Sequence, residues 1–127
     1  LGHPRAIGEA FHITSDEVLT WDQIYTAIAN AAGARADIVH IPSDFIYRLD
    51  PAIGAGLLGD KMHSVIFDNS KIKRLVPDFV ASIPFHIGVR ETLAWYQADP
   101  ARLRVDEAVN AQIDRLIAAF AAVPGGA

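Results

Sequence analysis

The chain has 127 residues, a formal net charge of -4 and no cysteine. This length suffices for one folded domain, but it is short for a cofactor enzyme that carries a separate substrate lobe. The acidic balance argues against nucleic acid as a partner, and the absence of cysteine excludes a disulfide framework and a thiolate metal site.

The sequence also gives expectations about where the protein works. No apolar run reaches the roughly 18 residues of a membrane-spanning helix, and no signal peptide with a basic start is visible. We therefore expect a soluble, cytoplasmic protein that does not contact a membrane. Because the first residue is Leu1 rather than methionine, we also expect a fragment of a longer protein.

The pattern of apolar residues predicts two short strands that flank a helix. Residues 10–14 alternate well enough to form a strand, and the short apolar stretch at 38–41 is the second strand. Between them, Thr20 and Gln23 form a capping box, and Gly33 supplies the stop of the helix. This strand–helix–strand unit has the length that a parallel crossover requires, which favours a parallel pair of strands.

The stretch PAIGAGLLGDK, residues 51–61, has the glycine spacing of a dinucleotide-binding turn. Such a turn needs a buried strand before it and a helix that opens at its last glycine. Here Pro51 precedes the glycines and a strand pattern at 64–67 follows them, so neither requirement is met. We therefore predict no cofactor site in this stretch. Instead, Asp50 caps a short helix, Pro51 takes its first turn, and Gly59 ends it in a left-handed conformation.

Helices account for most of the remaining sequence. The polar residues 68–70 can cap a short helix, and apolar residues recur at helical spacing after Pro84 and over 109–120. We predict one domain over residues 1–123 and a flexible tail over 124–127.

Candidate site residues concentrate in GDKMHSVIFDNS, residues 59–70. No two of the five histidines share a helical turn, so we predict no metal site. Polar groups at the two ends of a short strand are well placed to face a cleft, and we predict substrate contacts from Asp60, Lys61, His63 and Asn69. In the alternative interpretation the stretch is only a helix end followed by a helix start. That alternative accounts for the glycine and for Asn69, but not for Lys61 or His63.

Five short pieces of sequence follow one another in a recognisable order: GEAFHIT (8–14), LTW (19–21), GD (59–60), FDNSKIKRLVP (67–77) and GVRETLAWY (88–96). Their order resembles the C-terminal part of the NAD-dependent epimerase/dehydratase family, the extended short-chain dehydrogenases. Members of that family often end in the progression G-D…D-x-S-K-A…L-G-W-x-P…G-[IL]-x-x-T-[VI]-x-W-[YF]. This chain departs from the progression where Leu75-Val76 precedes Pro77, which indicates a divergent branch.

The resemblance implies an α/β fold, a small and mostly helical substrate-binding lobe with a few short strands and without the Rossmann half. NAD or NADP would bind to an N-terminal Rossmann domain of a longer parent, and the substrate would be a sugar nucleotide or a similar small molecule. The family's catalytic Tyr-x-x-x-Lys is absent, because Ala29, Pro51 and Pro100 stand four residues after the three tyrosines. We therefore expect no catalytic residue and no cofactor-binding residue in this chain.

A second class of function stays open on the sequence. A chain with this fold could be a non-catalytic module for protein interaction or homo-oligomerisation, because a fold does not determine its function. A Rossmann glycine turn and Tyr-x-x-x-Lys encoded upstream of Leu1 would favour the enzyme. A start codon just before Leu1 would favour the interaction module.

Overall fold

The computed structural model describes residues 2–124, so that only Pro124 of the predicted tail lies within it. The described part contains six α-helices: α1 (Trp21–Ala31), α2 (Ser43–Leu49), α3 (Pro51–Gly56), α4 (Ser70–Leu75), α5 (Phe85–Gln97) and α6 (Glu107–Ala121). A π-helical segment, Leu57–Lys61, continues α3. Short 3-10 turns cover Pro4–Ala6 and Pro100–Arg102.

The chain divides into two compact units. The first unit comprises residues 2–36 and 65–98 and contains α1, α4 and α5. The second comprises residues 37–64 and 99–124 and contains α2, α3, the π-helical segment and α6. Within these residues, no helix has the length and apolar character needed to cross a membrane.

The predicted α/β fold with a few short strands is wrong. The described residues contain no strand, and the segments 10–14, 38–41 and 64–67 have no regular secondary structure. The predicted parallel pair of strands is therefore absent as well. Alternation favours a strand, but a strand forms only where a neighbouring backbone exchanges hydrogen bonds with it, and no described segment does so. Apolar side chains of these segments stay exposed, as at Ile13 and Ile66.

Helix α1 begins at the predicted capping box. Thr20 Oγ1 accepts a hydrogen bond from the Gln23 backbone N–H at 3.3 Å, and Gln23 Oε1 accepts one from the Thr20 N–H at 2.8 Å. The first bond satisfies a donor that the first helical turn leaves without a partner. The helix ends at Ala31, and Gly33 follows with a φ of 70°, which glycine adopts without steric cost. The predicted cap and stop are confirmed.

Helices α1 and α5 pack against each other in the first unit. Helix α5 begins directly after Pro84, as predicted, and Val89 in its second turn is buried. The Phe85 backbone N–H donates to the Glu17 carboxylate at 2.8 Å. A carboxylate from the segment before α1 therefore satisfies a free donor at the start of α5.

Side chains at and near α4 hold the segment before α1 in the same unit. The bonds run from Lys71 Nζ to the Glu9 carboxylate at 2.6 Å, from Lys73 Nζ to the Asp16 carboxylate at 2.5 Å, and from Asn69 Nδ2 to the Thr14 carbonyl at 3.0 Å. We name these three contacts the charged seam. Of the α4 side chains, that of Ile72 is buried.

The charged seam lowers the pKa of its two carboxyl groups. The hydrogen bond from the Lys71 ammonium, followed by its charge, holds the pKa of Glu9 below its ordinary value. Hydrogen bonds from Lys73 and then Asn69 do the same to the pKa of Asp16. Both carboxylates are therefore stabilised in their ionised forms by the contacts that join the two segments.

In the second unit, α2 and α3 approach each other closely at Gly54. A β-carbon on Gly54 would lie 2.2 Å from the Cα atom of Tyr47, so only glycine fits between the two backbones. Asp50 lies between the helices and caps α3, since its carboxylate accepts a hydrogen bond from the Ile53 N–H at 3.2 Å. Pro51 occupies the first turn of α3. The predicted cap and the predicted position of the proline are confirmed.

Helix α6 supplies apolar side chains to the second unit. Leu116 is buried, and the Phe120 ring meets the Phe45 ring of α2 edge-on, with centroids 5.3 Å apart. Gln112 Nε2 donates to the Asp50 carboxylate at 2.5 Å. This bond, followed by the one from the Ile53 N–H, lowers the pKa of Asp50.

The predicted left-handed end of the helix at Gly59 is wrong. Among the described residues only Gly2, Gly8 and Gly33 have positive φ angles, whereas Gly59 lies inside the π-helical segment. The Met62 N–H donates to the carbonyl five residues earlier, at 2.9 Å. The helix therefore widens and continues to Lys61 instead of stopping at the glycine, because a π-type bond replaces the expected cap.

Candidate functional site

Three of the four predicted substrate contacts lie together at the end of the π-helical segment. Asp60 and Lys61 belong to the segment, and His63 follows it after Met62, all with exposed side chains. The His63 N–H donates to the Asp60 carbonyl at 3.1 Å, which holds the chain in a tight turn. We name residues 59–63 the 59–63 turn. Its π geometry is of interest because such segments occur frequently at functional sites.

The polar side chains of the 59–63 turn have no partner within the described part of the chain. Asp60, Lys61 and His63 form neither a hydrogen bond nor an ion pair through their side chains with any of residues 2–124. The Lys61 ammonium lies beside Gly56, at 3.8 Å from the position that a β-carbon there would occupy. An ammonium and an imidazole can donate hydrogen bonds to an oxyanion, and a carboxylate can accept one from a hydroxyl group.

The fourth predicted contact, Asn69, belongs to the first unit and takes part in the charged seam. Its amide nitrogen donates to the Thr14 carbonyl at 3.0 Å and to the Asp16 carboxylate at 2.8 Å, so both amide hydrogens are in use. The neighbouring Asp68 accepts hydrogen bonds from the Ser70 N–H and hydroxyl, and these bonds lower the pKa of Asp68. Asn69 therefore stands at the N-cap position of α4, but its side chain binds the segment before α1 instead of capping the helix, and only its amide oxygen is left for a ligand.

The structure also contains a groove that the sequence did not predict. It lies between α1 and α5 in the first unit, has a volume of about 430 Å³, and is lined by Asp22, Gln23, Thr26, Ala27, Asn30, Ala31, His86 and Arg90. We name it the α1–α5 groove. Its volume is in the range of small-molecule sites, which is about 300 to 1,000 Å³.

Helical spacing explains the walls of the α1–α5 groove. Gln23, Thr26 and Asn30 recur at intervals of three and four residues, so they share one face of α1. His86 and Arg90 are four residues apart and share one face of α5. The sequence therefore contained a signal for each wall. That the two faces lie opposite each other depends on how the helices pack, and no local pattern encodes this.

The described residues contain no candidate metal centre. No three His, Asp or Glu side chains within residues 2–124 lie close enough to hold a metal ion. The comparisons with known proteins add no relative, because no family model, no curated protein and no solved structure matches the chain.

Proposed function

We propose that this chain is the substrate-binding lobe of an NAD(P)-dependent epimerase, dehydratase or reductase. In this proposal the 59–63 turn contacts an anionic part of a sugar nucleotide or a similar small molecule. The observation that carries it is the cluster of Asp60, Lys61 and His63, which are exposed within one turn and unpaired with residues 2–124. A charged cluster that does not serve the fold is available for a ligand.

The contacts between the sequence motifs support the resemblance to this family. In the first unit, the motif at 8–14 is joined to the motif at 67–77 through the charged seam. The motif at 19–21 caps and opens α1, which packs against α5 and thus against the motif at 88–96. Four of the five pieces, which lie far apart in the sequence, are therefore held together within the first unit.

Exposed apolar residues support the existence of a partner domain. Val65, Ile66 and Phe67 are 62%, 71% and 58% exposed, and their backbone N–H groups donate to no residue among 2–124. A run of three exposed apolar side chains whose amides are free to pair with another backbone is typical of a surface that another protein segment covers. We propose that an N-terminal Rossmann domain, which holds NAD or NADP, covers this run, and that the whole protein works in the cytoplasm.

The test of the site is the substitution Lys61→Met in the whole protein. Methionine keeps an apolar stem of similar length and removes the charge, so folding is expected to survive. Losing one charge-assisted contact to an anionic substrate lowers kcat/KM for the substrate by about tenfold to a hundredfold. The KM for the cofactor stays unchanged, because the cofactor binds to the other domain.

The matched control is Lys71→Met, which removes the same group from the charged seam. We expect this variant to keep most of its stability, because the Lys71–Glu9 pair is exposed, and its kcat/KM for the substrate stays at the wild-type value. Equal values of kcat/KM for wild type and Lys61→Met would show that Lys61 does not contact the substrate. A change confined to the KM of the cofactor would mean that the 59–63 turn contacts the cofactor and not the substrate, which would contradict the proposal.

A second experiment tests the division of labour between the two domains. The 127-residue chain alone is titrated with NAD and NADP in a calorimeter, and we expect no binding, because the helix α2 rather than a strand precedes its glycine run. Saturable binding tighter than about 100 μM, or roughly 5.5 kcal/mol, would contradict the proposal that the cofactor site lies elsewhere.

A further inference from the structure

The α1–α5 groove combines features that suit a polar ligand. On one wall, His86 and Arg90 stand one helical turn apart on α5. The Arg90 guanidinium forms no ion pair or hydrogen bond with any residue of the described chain, and its side chain is exposed. A guanidinium has five donors arranged in a plane, which matches the geometry of a phosphate or a carboxylate.

The wall on α1 presents neutral hydrogen-bonding groups. Gln23 Oε1 is already occupied by the Thr20 N–H of the capping box, which leaves the amide N–H₂ of Gln23 as its free donor. Thr26 and Asn30 continue this polar face along the helix, and both are exposed. Hydroxyl and amide groups of this kind bind the hydroxyl groups of a ligand.

Two alanines give the α1–α5 groove its space, and one carboxylate limits which part of a ligand the α1 wall can bind. Ala27 and Ala31 line it on the α1 side, where their short side chains leave space between the helices. Asp22 also lines it, and a carboxylate can accept hydrogen bonds but offers no donor to an oxyanion. The anionic end of a ligand therefore belongs at Arg90 and His86, and its hydroxyl groups belong at α1.

We propose that the α1–α5 groove binds a small hydroxylated molecule with one oxyanion group, which Arg90 and His86 hold while Gln23, Thr26 and Asn30 bind its hydroxyl groups. The oxyanion is a phosphate or a carboxylate, since each presents two oxygens to which a guanidinium can donate a pair of parallel hydrogen bonds. This site involves none of the residues of the 59–63 turn, so it stands or falls independently of the proposed function.

The test uses amide NMR spectra of the full chain, titrated with glucose 6-phosphate, gluconate and glucose up to about 10 mM. We expect saturable shifts at α1 and α5 with one or both anionic ligands, and at least about tenfold weaker binding of glucose, because it lacks the charge. Binding of only one anion identifies which oxyanion the site takes. The absence of saturable shifts with either anion, or equal binding of glucose, would overturn the proposal.

Substitutions then test which side chains bind the anionic group of the ligand. Arg90→Gln is expected to weaken anion binding by about tenfold or more, whereas Arg35→Gln, an exposed arginine outside the groove, leaves it unchanged. His86→Gln provides a second groove variant, with the same direction of effect, in case Arg90→Gln does not fold. Equal losses in the groove variants and in Arg35→Gln would show non-specific attraction of anions and would refute the site.

Discussion

The two units hold their parts together in different ways. In the first unit, the charged seam joins α4 to the segment before α1 through side chains on long stems, with Lys71 47% and Glu9 51% exposed. In the second unit, the backbones of α2 and α3 meet directly at Gly54. Exposed ion pairs contribute little stability and are weakened by salt, whereas a close backbone contact leaves no room for one added carbon. The first unit should therefore tolerate substitution at its contact, and the second should not.

The largest expected effect follows from Gly54→Ala. The added β-carbon would lie 2.2 Å from Tyr47 Cα, so α2 and α3 must move apart. We expect a loss of about 3 kcal/mol in the free energy of unfolding of the second unit. Urea unfolding, followed through the amide signals of α2 and α6, measures this loss.

The control for that substitution is Gly59→Ala in the π-helical segment. Nothing lies within 4 Å of the position that a β-carbon would take there. Because alanine has a higher helix propensity than glycine, we expect an unchanged stability or a gain of up to about 1 kcal/mol. Similar losses in the two variants would contradict the special role of Gly54.

A smaller effect is expected from Thr20→Ala in the first unit. The substitution removes the hydroxyl that accepts the Gln23 N–H and should cost about 1 kcal/mol, seen as a lower melting temperature. Thr20→Ser keeps the hydroxyl and should melt close to the wild-type temperature. An unchanged melt of Thr20→Ala would show that the capping box does not stabilise α1.

Acid is expected to weaken both units. The folded protein lowers the pKa of Glu9, from an ordinary value of 4.5, and the pKa of Asp16 and Asp50, from 3.8. The unfolded chain therefore binds protons more readily, so the stability from these groups is present above their ordinary pKa values and is lost as the pH falls through the lowered ones. Urea midpoints between about pH 7 and about pH 3 should fall for both units. An unchanged urea midpoint of the second unit over this pH range would show that Asp50 does not make the unit sensitive to acid.

The smallest effect is expected from salt, and it separates the two units. Raising the NaCl concentration from about 0.05 to about 1 M screens exposed ion pairs. Hydrogen exchange at α4 should become faster, while exchange at α3 should change less. Asp50 accepts hydrogen bonds from Gln112 and the Ile53 N–H, and its ion pair with Arg115 is longer, at 3.4 Å. In a Lys71→Met, Lys73→Met double variant the salt effect at α4 should disappear. Equal salt effects on the two helices would contradict the difference between the units.

Local sequence patterns predicted those parts of the fold that depend on neighbouring residues. The capping box at Thr20, the Asp50 cap with its proline, and the start of α5 after Pro84 all involve residues close in sequence, and all are confirmed. The strands were wrong because a strand depends on a partner segment that no local pattern specifies. The close approach at Gly54 was missed for a similar reason, since it is set by Tyr47 on another helix.

The candidate sites show the same limit. The sequence predicted Asp60, Lys61 and His63 as polar groups at one end of a short strand, and the described residues contain no such strand. The three residues still lie together, because they fall within four positions of one another. It also included Asn69, whose hydrogen bonds reach Thr14 and Asp16, far away in the sequence. The α1–α5 groove forms where one face of α1 meets one face of α5. The sequence shows which residues share each face, but it does not show that the two faces lie opposite each other.

Hydrogen exchange at Val65, Ile66 and Phe67 tests the central claim, that this chain is a lobe whose exposed apolar run is covered by a further domain. In the 127-residue chain these amides donate to no residue among 2–124 and should exchange as fast as in an unfolded peptide, at every protein concentration. In a longer protein that includes the upstream domain, we predict exchange slower by about tenfold or more. Equally fast exchange in the longer protein, or protection of the chain alone that grows with its concentration, would contradict the claim and favour an interaction module that associates with itself.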